Sequence, residues 1–339
     1  MEHTDAKGRI MDALSGDRPD IPPVAIFTQS STVSQMDAVD SPWPLAHTSP
    51  TAMASLGSAQ HTMFGFDSVR VPFCVTVEAD ALGCDVDLGG RISSPTVMRG
   101  FKLDPFGGET DDPSSLPSID DFLSDDRTQC VSAAVDILSH RFENVPVVAG
   151  ITGPLTVLSQ MVGAENMVLG TVMCPDLVRR WSRELSVHLM GYIGSLEDSG
   201  ADVILLGEAS GSPDLIDPLM FMNLSGDFIG KMSRGRSKRV LHMCGDVSPV
   251  LDTISDLGFS GLSLEGIMNP YDIVEKVRGR TALVGNIGPV EPLLIGSPED
   301  VSHAARMSLD AGFDIITPGC GVPVQTPDRN LDAILDVRR

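Results

Sequence analysis

No run of about 18 consecutive apolar residues occurs anywhere in the 339-residue chain, so the sequence offers no helix built to cross a bilayer. The first 20 residues are polar and charged, without the apolar centre of a secretory leader. A cytoplasmic location is expected from both absences. Cations are scarce: 24 Lys and Arg against 46 Asp and Glu leave a formal charge of -22, and such a field repels phosphate backbones and anionic lipid. Neither nucleic acid nor a membrane surface is an expected partner. Cysteine is sparse too. The six thiols, at Cys74, Cys84, Cys130, Cys174, Cys244 and Cys320, are too few for a disulfide scaffold and in a reducing compartment are free thiols or metal ligands. No G-x-G-x-x-G follows a strand, and no phosphate loop or Ser-His-Asp arrangement stands out.

What the chain does contain is a rhythm. Short β-branched runs alternate with amphipathic helical stretches, which implies parallel strands joined by crossover helices. Eight runs read as strands: residues 23–28, 69–77, 145–151, 201–208, 239–244, 259–265, 281–286 and 313–317. The expected fold is therefore an α/β (β/α)8 barrel forming one domain over residues 1–339. Helix starts are announced by a capping residue followed by Pro and often by acid, as in Ser297-Pro298-Glu299-Asp300, Thr326-Pro327-Asp328, Ser248-Pro249 and Cys174-Pro175-Asp176. Gly200, Gly258 and Gly312 sit where a helix should turn into the next strand. Residues 30–65 and 92–126 break the rhythm. The first reads as helices and a loop added near the barrel mouth; the second includes a Pro-, Gly- and acid-rich surface excursion at 104–118.

In a barrel of this kind reactive groups collect at the carboxyl ends of the strands. The fifth expected strand ends His242-Met243-Cys244-Gly245, the sixth Ser263-Leu264-Glu265-Gly266, and the eighth runs into Pro318-Gly319-Cys320-Gly321. Residues i and i+2 of a strand face one side, so His242 and Cys244 form a two-ligand clip that Cys320 can complete from across the ring. One His and two Cys make a borderline-soft set suited to zinc (Zn2+), with a fourth tetrahedral position left open. The other four cysteines lack this context and read as structural. His61, His140, His188 and His303 fall in helical or irregular stretches and read as surface or core residues, and the sixteen scattered methionines read as core filling.

The stretches LHMCGDVSPVLDTISDLGFSGLSLE (241–265), LVGNIGPVEPLL (283–294) and ITPGCGVPVQTP (316–327) resemble the methylcobalamin:coenzyme M methyltransferases, a branch of the uroporphyrinogen decarboxylase superfamily of barrels found in methanogens. Gly16-Asp17-Arg18-Pro19, VAIFTQS (24–30) and GPLTVL (153–158) are similar to the same family. The resemblance implies zinc held by His242, Cys244 and Cys320, a coenzyme M thiol bound to it, and a methyl group delivered by methylcobalamin or a methylated corrinoid protein. Glu265, beside the clip, is expected to occupy the open position, or to hold a water there, until the thiol arrives. Transfer to tetrahydrofolate or another thiol is the near alternative. A decarboxylase of a many-carboxylate porphyrinogen is a more distant one, since the first loop, Phe27-Thr28-Gln29-Ser30, carries no Arg. A noncatalytic docking module for a corrinoid protein, with structural zinc, is the third.

Overall fold

A computed structural model describes residues 5–100 and 113–338. Its nine strands are β1 (Val69–Val71), β2 (Asp85–Asp87), β3 (Thr96–Arg99), β4 (Val147–Thr152), β5 (Val203–Gly207), β6 (Lys238–Met243), β7 (Gly261–Leu264), β8 (Ala282–Ile287) and β9 (Ile315–Pro318). Seven of them form one parallel sheet in the order β1-β4-β5-β6-β7-β8-β9, while β2 and β3 pair as a separate antiparallel hairpin. Parallel neighbours need crossovers, and helices such as Pro175–Asp198, Pro270–Val277 and Pro298–Ala311 supply them. Among the described residues no helix is long and apolar enough to cross a membrane.

The ring of strands closes through the segment expected as the first strand, residues 23–28. It makes only one ladder bridge, Val24 to Ile316 of β9. On its other side one backbone bond, from the Asp67 N–H to Val24 O at 2.8 Å, is joined by polar side chains: the Val24 N–H donates to Asp67 at 3.2 Å, the Ile26 N–H donates to Ser68 Oγ at 3.1 Å, and Gln60 Nε2 donates to Ile26 O at 3.1 Å. Pro22 and Pro23 have no N–H to give, so an ordinary ladder could not start there. The second strand is also shorter than its β-branched run suggested. It ends at Val71 because Pro72 cannot donate the next bond.

Helix boundaries follow the capping chemistry, with two corrections. Ser297 caps Pro298–Ala311 in a reciprocal box with Asp300. Gly200, Gly258 and Gly312 have φ of +100°, +87° and +112°, as a helix-to-strand turn requires. Ser248 caps nothing: its N–H is taken by Asp246 Oδ1 at 2.9 Å in a local turn, and the helix starts at Leu251. Thr326 gives way to Pro327 as the cap of Asp328–Ile334. Cys174 does precede the helix Pro175–Asp198, but no side-chain bond caps it. Residues 30–65 contain the helices Val33–Ala38, Leu45–Thr48 and Pro50–Ala59. The excursion expected at 104–118 lies outside the described residues up to 112.

Two apolar cores divide the work. The larger lies between strands and helices. The smaller fills the barrel itself: Phe27, Val148, Leu205, Val240 and Val284 pack onto Ile10, Ala13 and Leu14 at the amino-terminal helix Ala6–Ala13. That helix closes the end of the barrel where the strands begin. It is tied down by Asp67, which accepts from Arg9 at 2.6 Å and also binds Arg338 near the carboxyl terminus. One carboxylate, only 2% exposed, thus links the helix, the strand-like segment and the last residues. Asp67→Ala should remove the carboxylate that Arg9, Arg338 and the Val24 N–H share and lower the unfolding free energy on the order of 3 kcal/mol. Chemical denaturation measures it, and a loss below 1 kcal/mol, as for a surface pair, would contradict the closure role.

Candidate metal centre

Alternation along β6 sends Leu241 and Met243 into the outer core and His242 and the following Cys244 into the barrel. His242 is oriented from behind. Its Nδ1 lies 3.1 Å from the Ser263 carbonyl oxygen, which can only accept, so Nδ1 carries the proton and Nε2 presents its lone pair forward. Cys244 Sγ is 3.4 Å from that Nε2 and 3.9 Å from Cys320 Sγ. Glu265 follows β7 with the same parity as Ser263. One ligand atom from each of His242, Cys244, Glu265 and Cys320 lies within 4.8 Å of the others.

These separations match a cation-sized hole. Bonds of about 2.3 Å to sulfur and about 2.0 Å to nitrogen give tetrahedral edges of about 3.8 Å between sulfurs and about 3.5 Å between nitrogen and sulfur. A disulfide is ruled out, since its sulfurs would stand about 2.05 Å apart. Cys320 reaches across because its loop touches the β7 loop backbone to backbone: a Cβ on Gly319 would meet Glu265 Cα at 2.8 Å and Leu264 O at 2.8 Å. The Cys320 carbonyl is in turn held by Thr28 Oγ1 at 2.6 Å.

The electrostatics point the same way. Hydrogen bonding to Cys244, and then to His242, makes Cys320 much easier to ionise than a free thiol. Cys244, as the donor of that pair and a buried group, holds its proton correspondingly harder. Burial and the neighbouring Cys320 push the Glu265 carboxyl up. Burial works against charging His242, but its bond to Cys320 and the charges of Cys320 and Glu265 outweigh it and raise its pKa. Two sulfurs and a carboxylate compete here for too little positive charge, and a divalent cation is what would let all three ionise.

The cluster opens into a cavity of about 160 Å³ whose wall includes Thr28, Gln29, Arg70, Gly150 and Thr152. Of the four chemistry-bearing residues expected from the sequence, His242, Cys244 and Cys320 line it, and Glu265 joins them in the cluster. His61, His140, His188 and His303 do not join the cluster. Cys84 and Cys130 are buried away from it, as structural thiols would be. Cys74 departs from that expectation in part, since it lines the cavity while accepting from Arg127 at 3.3 Å. Arg70 was not singled out from the sequence at all. Its one signal was a charged residue at an inward position of the apolar run Val69-Arg70-Val71.

Residues 5–339 match the family model described as uroporphyrinogen decarboxylase (URO-D). The chain belongs to the uroporphyrinogen decarboxylase family. Within that family it is 32% identical over 335 residues to "Methylcobamide:CoM methyltransferase MtaA" of Methanosarcina barkeri (strain Fusaro / DSM 804), spanning 98% of this chain and 97% of that one. It is 29% identical to "Methylcobamide:CoM methyltransferase MtbA" of Methanosarcina acetivorans, over 97% of this chain and 96% of that one. A solved methyltransferase from Methanosarcina mazei superposes with a TM-score of 0.91 at 33% identity, covering 99% of this chain and 98% of the other. The family's barrel is thus confirmed for this chain, and the chain is an enzyme of the methyltransferase branch.

Gly319→Ala tests whether loop contact sets the ligand geometry. The added methyl must push the Cys320 loop off Glu265, so cation affinity should fall roughly tenfold or more while the far-ultraviolet circular dichroism stays that of the wild type. Metal titration against a chromophoric chelator reads it; unchanged affinity would show that Cys320 is positioned by something else.

Proposed function

We propose that this chain moves a methyl group from a methylated corrinoid, free or carried by a partner protein, to the thiol of coenzyme M, with zinc held by His242, Cys244 and Cys320. The observation that carries the reading is the cluster of four ligand atoms within 4.8 Å, opening onto a cavity at the carboxyl end of the barrel. The names of the relatives supply the donor and the acceptor. Zinc fits better than a harder ion because two of the donors are thiols. Bound there, it would keep the coenzyme M thiol deprotonated and nucleophilic near neutral pH.

The chain's own residues have separate tasks. Cys244 and Cys320 supply two negative charges, and neutral His242, fixed by Ser263, adds none, so the set offsets a divalent cation without overloading it. Glu265 is half-buried at the fourth corner. We assign it the position that the substrate sulfur takes over, because a carboxylate oxygen is the harder and weaker partner for a sulfur-rich site. The barrel wall then orients the sulfur toward the open mouth, where a sulfur–carbon bond can form as the cobalt–carbon bond breaks and its electron pair stays with the corrinoid.

The decarboxylase chemistry of the family name is less well supported. A substrate with many carboxylates needs many cations, and Arg70 is the one Arg or Lys among the described residues lining the cavity. A structural zinc site would be closed by protein on all sides, whereas this one faces a cavity.

Purified zinc-loaded protein mixed with methylcobalamin and coenzyme M should bleach the methylcobalamin absorption. Cys320→Ala should lose stoichiometric zinc and at least about a hundredfold of the rate while keeping the barrel folded. Bleaching with tetrahydrofolate in place of coenzyme M would move the acceptor to the alternative, and full activity in zinc-free Cys320→Ala would remove the metal from the reaction. For Glu265, zinc X-ray absorption should show one oxygen neighbour exchanged for one sulfur when coenzyme M is added. An unchanged shell and unchanged rate in Glu265→Gln would leave that carboxylate a structural role only.

A further inference from the structure

The thiol end of the proposed substrate is provided for, but coenzyme M is a two-carbon thiol ending in a sulfonate, and that end carries a permanent negative charge. Among the described residues that line the cavity, Arg70 is the one Lys or Arg. Arg70 rises from β1 into the cavity and is only 4% exposed. Its Nε–H donates to Phe27 O at 3.2 Å and its Nη1 donates to Pro72 O, so backbone carbonyls fix the plane of the guanidinium. No carboxylate lies within ion-pair distance of it among the described residues. The charges that act on it are those of Cys74 and then Glu78, and the Glu78 Oε1 is engaged by the Thr152 N–H at 2.9 Å.

The rest of the wall makes room for this cation. A Cβ on Gly150 would fall 2.2 Å from Arg70 Nη2, so any other residue at this central position of β4 would displace the guanidinium. Glycine in the interior of a strand weakens it, and its presence here is explained by the close approach of Arg70. A buried charge without a partner is strongly destabilising and is normally paired or neutralised. Arg70 does neither: burial lowers its pKa only to about 10, so it stays cationic at neutral pH. Burial also pushes the Glu78 carboxyl up to about 7.

From this geometry we propose that Arg70 is the anchor for the anionic end of the substrate, taking a sulfonate through its unengaged Nη2 donors while the thiol sits at the cluster of His242, Cys244 and Cys320. The proposal rests on the coenzyme M reading of the site. It makes Arg70 a specificity-determining residue, one that selects thiols ending in a strong-acid anion over neutral thiols of the same length. A planar guanidinium offers parallel donors to a sulfonate's oxygens, which an ammonium could not match.

The test compares coenzyme M with 2-mercaptoethanol, which has the same two-carbon spacer and no charge, as acceptors from methylcobalamin in the zinc-loaded enzyme. Arg70→Gln should collapse the ratio of kcat/KM for coenzyme M over 2-mercaptoethanol by tens-fold, mostly through KM, and Arg70→Lys should recover part of it. Equal loss for both thiols would make Arg70 a structural residue and overturn the proposal. Calorimetry with ethanesulfonate, which carries the anion but no thiol, gives a readout independent of turnover. The wild-type protein should bind it and Arg70→Gln should bind it at least about tenfold more weakly. Absence of ethanesulfonate binding to the wild type would overturn the anchor even if methyl transfer occurs. Arg70-dependent binding without methyl transfer to either thiol would instead retire the reaction and keep the anion site. Should Arg70→Gln not fold, Arg70→Lys and the wild-type ethanesulfonate titration decide the question alone.

Discussion

The cluster of His242, Cys244, Glu265 and Cys320 depends on one close contact, the backbone of Gly319 lying against Glu265 and Leu264. β6 and β9 are separated in the sheet by β7 and β8, so the sulfur of Cys320 must span that arc to meet Cys244 at 3.9 Å. Side chains between the loops would hold them apart by more than a zinc–sulfur bond. Removing every atom beyond Cα at position 319 lets the two loops touch, and the Thr28 bond to the Cys320 carbonyl keeps them there. Charge completes what shape begins. Two sulfurs, a carboxylate and an imidazole brought this near repel one another once ionised, and a cation held among them would relieve that repulsion.

Support for this arrangement comes from well outside it. The imidazole is aimed by Ser263 of the neighbouring strand, and β7 is in turn aligned by its ladder with β6, where His242 pairs in register with Ser263. Asn286 of β8 donates to Met268 O at 3.2 Å and receives the Ser308 hydroxyl at 2.9 Å, which fastens the loop after Glu265 to the helix Pro298–Ala311. Ligands are placed by secondary structure, and their tautomer and direction by single hydrogen bonds.

Much of this was readable in the sequence because it follows from periods. Spacing of two placed His242 and Cys244 on one face, the same parity put Glu265 inward with Ser263, and Gly200, Gly258 and Gly312 marked real turns. The parts that were not readable depend on contacts between distant segments. Nothing near residue 24 reveals that Asp67, Ser68 and Gln60 will stand in for a strand partner, and the β-branched run past Val71 hid the stop that Pro72 imposes. Ser248 looked like a cap because a rival acceptor two residues earlier, Asp246, has equal local claim to it. Arg70 was overlooked for the opposite reason: its meaning lies in the emptiness at Gly150, eighty residues away, and in a cavity that exists only once the ring closes.

The amino-terminal helix beneath the barrel has a kinetic consequence. With Ile10, Ala13 and Leu14 packed against the strand starts, that end of the barrel is filled among the described residues, and the cavity lies beside the strand ends that carry His242 and Cys244. On the proposed reaction a small acceptor and a bulky donor would share that approach. The acceptor would then enter first, the donor would settle over it like a lid, and the methylated product would leave after the spent donor had lifted away. A queue of this kind would arise from architecture alone, without any allosteric signal between the two sites.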